Sequence, residues 1–178
     1  MNVVRQLLQH CDSAFGGQGT LYQYEAADVL IAVYPPSKRR GWWTYATVEL
    51  HRSGQSECVM YSYQYDAGMI DHLAHVAAQV SRMWQQEQLR LYTGAVFSLL
   101  RPVAEKSSLQ HVLATPAYYE EEGFSYFTNG NDVIRLMMLH AIADTEVDFL
   151  AQYGWEALAE LFARTGVDSL DVMRGPAV

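Results

Sequence analysis

Asp71, His72 and His75 stand close together in the chain. Two histidines three residues apart can share a metal ion on one helix face, and Asp71 is placed to orient His75 four residues on. With an acid from elsewhere, the pair would serve metal-assisted hydrolysis. The helical angles oppose this reading. At about 100° per residue, the apolar stripe of the same segment centres near Leu73 and Trp84. His75 points almost opposite, beside Gln79 and Arg82, and the HExxH spacing is absent. The histidines therefore read as a solvated helix face, and no metal ligand is assigned.

Other candidate chemistries are weaker still. Gly16-Gly17-Gln18-Gly19-Thr20 lacks the GK[ST] of a phosphate loop, and no strand precedes it, so it reads as a flexible linker. Ser125 lacks the second glycine of a nucleophile elbow. Cys58 lies in a strand-like run with His51 nearby, but a buried cysteine acting as a small hydrophobe accounts for it as well. Cys11 and Cys58 form no CxxC pair and are too few for a disulfide framework, so reduced cysteines in a cytoplasmic protein are expected. No catalytic residue and no cofactor is assigned.

Binding chemistry is better represented. Trp42, Trp43 and Tyr45, with Tyr61, Tyr63 and Tyr65, concentrate aromatic side chains on two adjacent strand-like runs. Such residues dominate protein interfaces because they bury area at little entropic cost, although they pack ordinary sheets equally well. Tyr118, Tyr119, Glu120, Glu121 and Glu122 set two tyrosines beside three acids in one loop, suited to capturing arginine or lysine. Arg135 interrupts an apolar strand, as does His140, and Arg135 needs a partner or an opening. The candidate partner-binding residues are therefore Tyr118, Tyr119, Glu120, Glu121, Glu122, Trp43, Tyr45 and Arg135.

The elements that must position these residues can be read in order. Residues 2–11 form a short amphipathic helix with Val3, Val4, Leu7 and Leu8 on one side, ended by Gly16-Gly17. Leu21–Tyr24 and the β-branched run Val29–Tyr34 are strands, the second covered on both faces. Trp42–Leu50 alternates, which predicts a strand with one core side and one amphipathic side. Glu57–Tyr63 returns beside it, completing a β-meander. Ile70, Leu73, Ala77, Val80 and Trp84 lay an apolar stripe along a helix over about 69–90. Residues 95–100 and 109–114 are short extended segments. Residues 124–127 and 133–142 form a hairpin about Asn129-Gly130. Asp144-Thr145, with Asp148, offers a helix cap, Gly154 splits the helix, and Gly166 ends it. Together these predict an α+β domain: a mixed, largely antiparallel sheet with a long central helix and a C-terminal helix packed on it. The expected organisation is an N-terminal helix and Gly-rich linker over 1–19, then one domain over 20–178.

The charge is unevenly placed. The 178 residues carry a formal net charge of -8. Residues 1–117 hold nine acids and nine bases, and residues 118–178 hold eleven acids and three bases. So acidic a chain is a poor candidate for nucleic acid and a reasonable one for a basic protein. No run approaches the about 18 apolar residues of a membrane span.

The order of segments resembles the suppressor of fused family, in its short bacterial form. The first likeness is Asp28-Val-Leu-Ile-Ala-Val-Tyr-Pro35, followed by the alternating strand and Ser56-Glu-Cys-Val-Met-Tyr61. The second is the long helix, then Gly94-Ala-Val-Phe and Ser108-Leu-Gln-His-Val-Leu-Ala-Thr-Pro116. The most specific runs from Ala143-Asp-Thr-Glu146 through Phe149-Leu-Ala-Gln-Tyr-Gly154-Trp-Glu-Ala-Leu158 to Leu170-Asp171-Val-Met-Arg174. The resemblance implies a non-enzymatic protein-binding module; a scaffolding or regulatory domain that adds a peptide to a sheet edge is the alternative reading. In bacteria it further implies an immunity protein that binds and neutralises a cognate toxin, here a basic one, in the cytoplasm.

Overall fold

In the computed structural model, which describes residues 2–178, helix α1 spans Val3–Phe15. Asn2 Oδ1 accepts a hydrogen bond from the Val4 N–H at 3.0 Å, satisfying one orphan donor of the first turn. Leu7, Cys11 and Phe15 recur every four residues and are all buried. The helix therefore runs a turn beyond residue 11, and Gly16 closes it with φ 84°. The glycine-rich segment that follows is tied down. Asp12 accepts from the Tyr34 hydroxyl at 2.9 Å and from the Gly19 N–H at 3.4 Å. Gly19 lies so close to Tyr34 that a Cβ would meet a ring carbon at 2.7 Å.

Strands β1 (Thr20–Tyr24), β2 (Val29–Tyr34), β3 (Trp43–Thr47) and β4 (Ser56–Ser62) form the expected antiparallel meander. Helix α2 (Gly68–Glu87) follows, then β5 (Val96–Ser98), β6 (His111–Pro116), β7 (Tyr126–Asn129) and β8 (Asp132–Ile142). Helices α3 (Asp144–Tyr153) and α4 (Trp155–Thr165) close the order, separated at Gly154, with Gly166 in the left-handed region at the end of α4. The sheet order is β1-β2-β3-β4-β8-β6-β5, with β7 beside the first part of β8. Among the described residues, only β4 and β8 pair in parallel, matching residues 56–59 with 135–138.

Both faces of the sheet are covered. Val29, Ile31, Val33, Cys58, Met60, Met137 and Leu139 pack with Ile70, Leu73, Ala77 and Val80 of α2. On the other face, Ala32, Tyr34, Val59, Tyr61, Leu136 and Met138 meet α1. Leu113 and Ile142 meet Leu158 and Leu161 of α4. No helix among the described residues is long and apolar enough to cross a membrane.

Two local expectations are corrected. The strand expected over residues 42–50 has no amphipathic side and ends at Thr47; Leu50–Arg52 is a single 3-10 turn. Its cause is Glu57, fully buried on β4. The Glu57 carboxylate accepts from the Thr47 hydroxyl, from the backbone N–H groups of Leu50 (3.2 Å) and His51 (2.9 Å), and from His51 Nδ1 (2.7 Å). A buried carboxylate needs such donors, and the turn supplies them. The α3 cap is also different. Ala143 is the N-cap, and its N–H donates to the Glu146 carboxylate at 2.8 Å, whereas the Thr145 hydroxyl donates to the Val178 carbonyl.

Candidate functional site

Residues of α1, the turn after β2 and the loop after β6 enclose a cleft of about 840 Å3. Its floor is an ion pair. The Arg40 guanidinium donates to the two carboxylate oxygens of Glu120 at 2.5 and 2.8 Å and to the Thr44 hydroxyl at 2.9 Å. The Tyr61 hydroxyl adds a donor to Glu120 at 2.5 Å. Arg40 also lies over the rings of Phe15, Trp42 and Tyr61, at 4.7, 5.0 and 5.6 Å from their centroids. Both charged side chains are over nine-tenths buried. Burial, followed by the neighbouring Glu120 charge, pushes the Tyr61 phenol well above its ordinary pKa, so it remains a hydrogen-bond donor. Lys38 and Arg39 lie on one lip of the cleft, and Glu121 and Glu122 on the other, all four exposed.

The eight residues singled out as a partner surface are divided among several places. Tyr119, Glu120, Glu121 and Glu122 line this cleft together, with Tyr119 edge-on to Tyr61 at 5.9 Å. Glu120 is at its floor, not in solvent. Tyr118 turns the other way, toward α4. Trp43 and Tyr45 lie on the α2 face of the sheet, where Tyr45 is 0% exposed and cannot meet a partner. The Tyr45 hydroxyl instead accepts from the Asp66 N–H at 2.9 Å, its role being structural. Arg135 is half-buried on β8, paired across to Tyr126 and Ser56, and forms no ion pair among the described residues. Arg40, Trp42 and Tyr61, which build the floor, were not among the expected site residues.

The catalytic alternatives find no assembly. His72 is buried rather than solvated, and burial, then Arg101, lowers its pKa. Among the described residues, no three His, Cys, Asp or Glu side chains converge as a metal site. Burial raises the pKa of both cysteine thiols, and the His51 ring is bound to Glu57 rather than poised on Cys58.

A second cleft, of about 390 Å3, lies on the other side of the same loop. Tyr118, Tyr119, His140, Trp155, Ala159 and Phe162 form most of its wall. Tyr118 and Trp155 present nearly parallel rings, 6.4 Å apart between centroids and 12° between planes. His140 is buried, and burial, then Arg174, pushes its pKa down to about 3 from an ordinary 6.5. The unfolded chain therefore binds this proton more readily than the folded one. Its contribution to stability is complete above about pH 6.5 and is lost as pH falls toward 3, at roughly 1.4 kcal/mol per pH unit. His72 acts in the same direction. Urea unfolding at successive pH values should show this slope, and a His140→Gln variant should flatten it. An equal slope in both proteins would place the titration elsewhere.

The family model for suppressor of fused protein (SUFU) matches residues 23–175, most of the chain. The chain belongs to the suppressor of fused family. Its fold agrees. A suppressor of fused homologue from Neisseria gonorrhoeae superposes with a TM-score of 0.82 at 21% identity, covering 99% of this chain and 97% of that one. A chain of the Sufu–Fu complex gives 0.68 at 12% identity, covering 98% and 92%. Drosophila Suppressor of Fused gives 0.64 at 11% identity over 96% of this chain, which spans half the length of the fly protein. No curated protein matches at a significant level.

The most specific stretches of the suppressor of fused resemblance have a physical explanation here. Glu146 and Arg174, one from each motif, meet as a buried bidentate pair at 2.7 and 3.0 Å. Arg174 also donates to the Ala141 carbonyl at 2.9 Å and lies over Phe162 at 5.2 Å. The pair ties the segment after α4 back to the start of α3.

Proposed function

We propose that this suppressor of fused domain is a non-enzymatic protein-binding module and that its partner is a basic toxin, which it holds inactive as an immunity protein in the cytoplasm. The observation that carries the reading is the cleft beside α1. Its floor is fixed by the Arg40–Glu120 pair, and the exposed Glu121 and Glu122 stand at its lip, where they can receive arginine or lysine from outside. The structural likeness to a chain of the Sufu–Fu complex supports a binding role. So does the excess of acids in residues 118–178. Glu120 and Glu146 are occupied in buried pairs, so the charge offered to a partner comes from the remaining, mostly exposed, acids.

Co-expression with the product of the adjacent gene tests the reading. A stable complex and relief of that protein's toxicity are expected. If no genomic neighbour is bound and no toxicity is relieved, the immunity role fails. With the partner in hand, the double substitution Glu121→Gln and Glu122→Gln should weaken binding about tenfold at low salt, with less effect at high salt. Its unfolding free energy should stay within about 0.5 kcal/mol of the parent, because both side chains are exposed. Unchanged affinity would move the interface away from this lip.

A further inference from the structure

The second cleft combines three properties. Its walls are largely aromatic and aliphatic, from Tyr118, Trp155, Ala159 and Phe162. His140 lines it, and its Nδ1, closed to solvent, has no hydrogen-bond partner among the described residues. Its surroundings are acidic. Glu156 and Glu160 are exposed on α4 and Asp168 on the following loop; of the bases nearby, Arg164 is exposed and Arg174 is neutralised in its buried pair with Glu146.

The protonation of His140 follows from its neighbours. The Thr115 hydroxyl donates its one hydrogen to the Pro116 carbonyl at 2.9 Å. The contact between Thr115 Oγ1 and His140 Nε2 at 2.6 Å is then made by an Nε2–H donor. Nδ1 is left with its lone pair free. Nδ1 is closed to solvent in this structure, so this one acceptor becomes available only as the aromatic wall gives way, to a flat apolar group bearing one N–H or O–H donor.

We propose that this cleft receives a tryptophan side chain from a basic segment of the partner protein, with the indole N–H donated to His140 Nδ1. A source in a partner protein, rather than a free small molecule, follows from position and charge. Tyr119 lines both clefts, so a chain seated at the Glu121–Glu122 lip continues into this one. The acids around α4 then favour basic residues flanking the indole. Tyr118, 56% exposed, is the wall most open to movement as the ring enters. The assignment of the occupant to a partner rests on the protein-binding reading, but the test uses small probes and does not depend on finding the toxin.

The probes are indole, N-methylindole and the capped peptide Lys-Trp-Lys, titrated into the 15N-labelled domain while the Trp155 indole N–H signal is followed by NMR. Indole should shift that signal saturably. N-methylindole, which has no donor, should bind at least about tenfold more weakly. The peptide should bind more tightly than indole at low salt and lose that advantage in about 1 M salt, where the Debye length is about 3 Å. Ala159→Phe, which fills the cleft from a half-buried helix position, should remove binding of all three. Absence of a saturable Trp155 shift, equal affinity for the two indoles, or binding that survives Ala159→Phe would overturn the site. A peptide no tighter than free indole at low salt would overturn the partner as its source.

Discussion

Replacing Arg174 with methionine is expected to destabilise the domain by about 3–5 kcal/mol, the cost of leaving one member of a buried ion pair unpaired. Glu146 is fully buried and takes four hydrogen bonds, two from Arg174 and one each from the N–H groups of Ala143 and Ala177. Methionine fills much of the volume beside Phe162 but returns none of the donors. The carboxylate would then be held by two backbone groups alone, and the Ala141 carbonyl would lose its partner. Removing both charges, with Glu146→Leu and Arg174→Met together, should recover only part of the loss, since those backbone groups stay orphaned. Urea midpoints of the two single variants and the double variant measure the coupling. A cost under about 1 kcal/mol for Arg174→Met would mean that the pair is solvated in solution.

Glu120→Gln is expected to cost a similar amount, about 3–5 kcal/mol, for the complementary reason. Glutamine has nearly the same shape but presents one acceptor oxygen where the carboxylate presents two. The Arg40 charge would remain enclosed by Phe15, Trp42 and Tyr61 without a counter-charge. The double variant Arg40→Met with Glu120→Leu should be much more stable than Glu120→Gln, because Thr44 and Tyr61 are then the only polar groups disturbed. Denaturant curves on the purified variants decide this. If Glu120→Gln unfolds at the parent midpoint, Glu120 is a surface acid, available to a partner. The expected result instead separates it from Glu121 and Glu122. The three adjacent glutamates read alike in sequence, yet one closes the floor of a cleft and two stand at its lip.

Most of the architecture was legible from periodicity. The meander, the long helix, the Asn129-Gly130 hairpin and the break at Gly154 are all local signals, and the structure contains each of them. The misreadings share a cause, the placement of polar residues by distant partners. Alternation along 42–50 reads as one wet face, but α2 covers that side and buries Tyr45. Arg40 sits in a Lys-Arg-Arg turn, and nothing nearby in sequence announces Glu120, eighty residues away. Likewise, Glu57 looks like an ordinary strand residue until the turn at Leu50–Arg52 folds over it. Glu146 and Arg174 were visible as motif residues of the suppressor of fused resemblance. That they bond to each other was not, since the chain between them must first form α3 and α4.

The parallel pairing of β4 with β8 also fixes an order of assembly. During synthesis the meander emerges first, and β4 is then an edge strand whose residues are all destined for the interior. Its partner, the last strand in the sequence, arrives only after α2 and three further strands have been made. Until then the native neighbour of that edge is missing. The nascent protein carries an open, apolar strand through much of its translation, the kind of surface that invites pairing with other chains and engagement by chaperones. Contacts so distant in sequence also tend to slow folding. The same closure that hides the middle of the finished sheet leaves it exposed for longest on the ribosome.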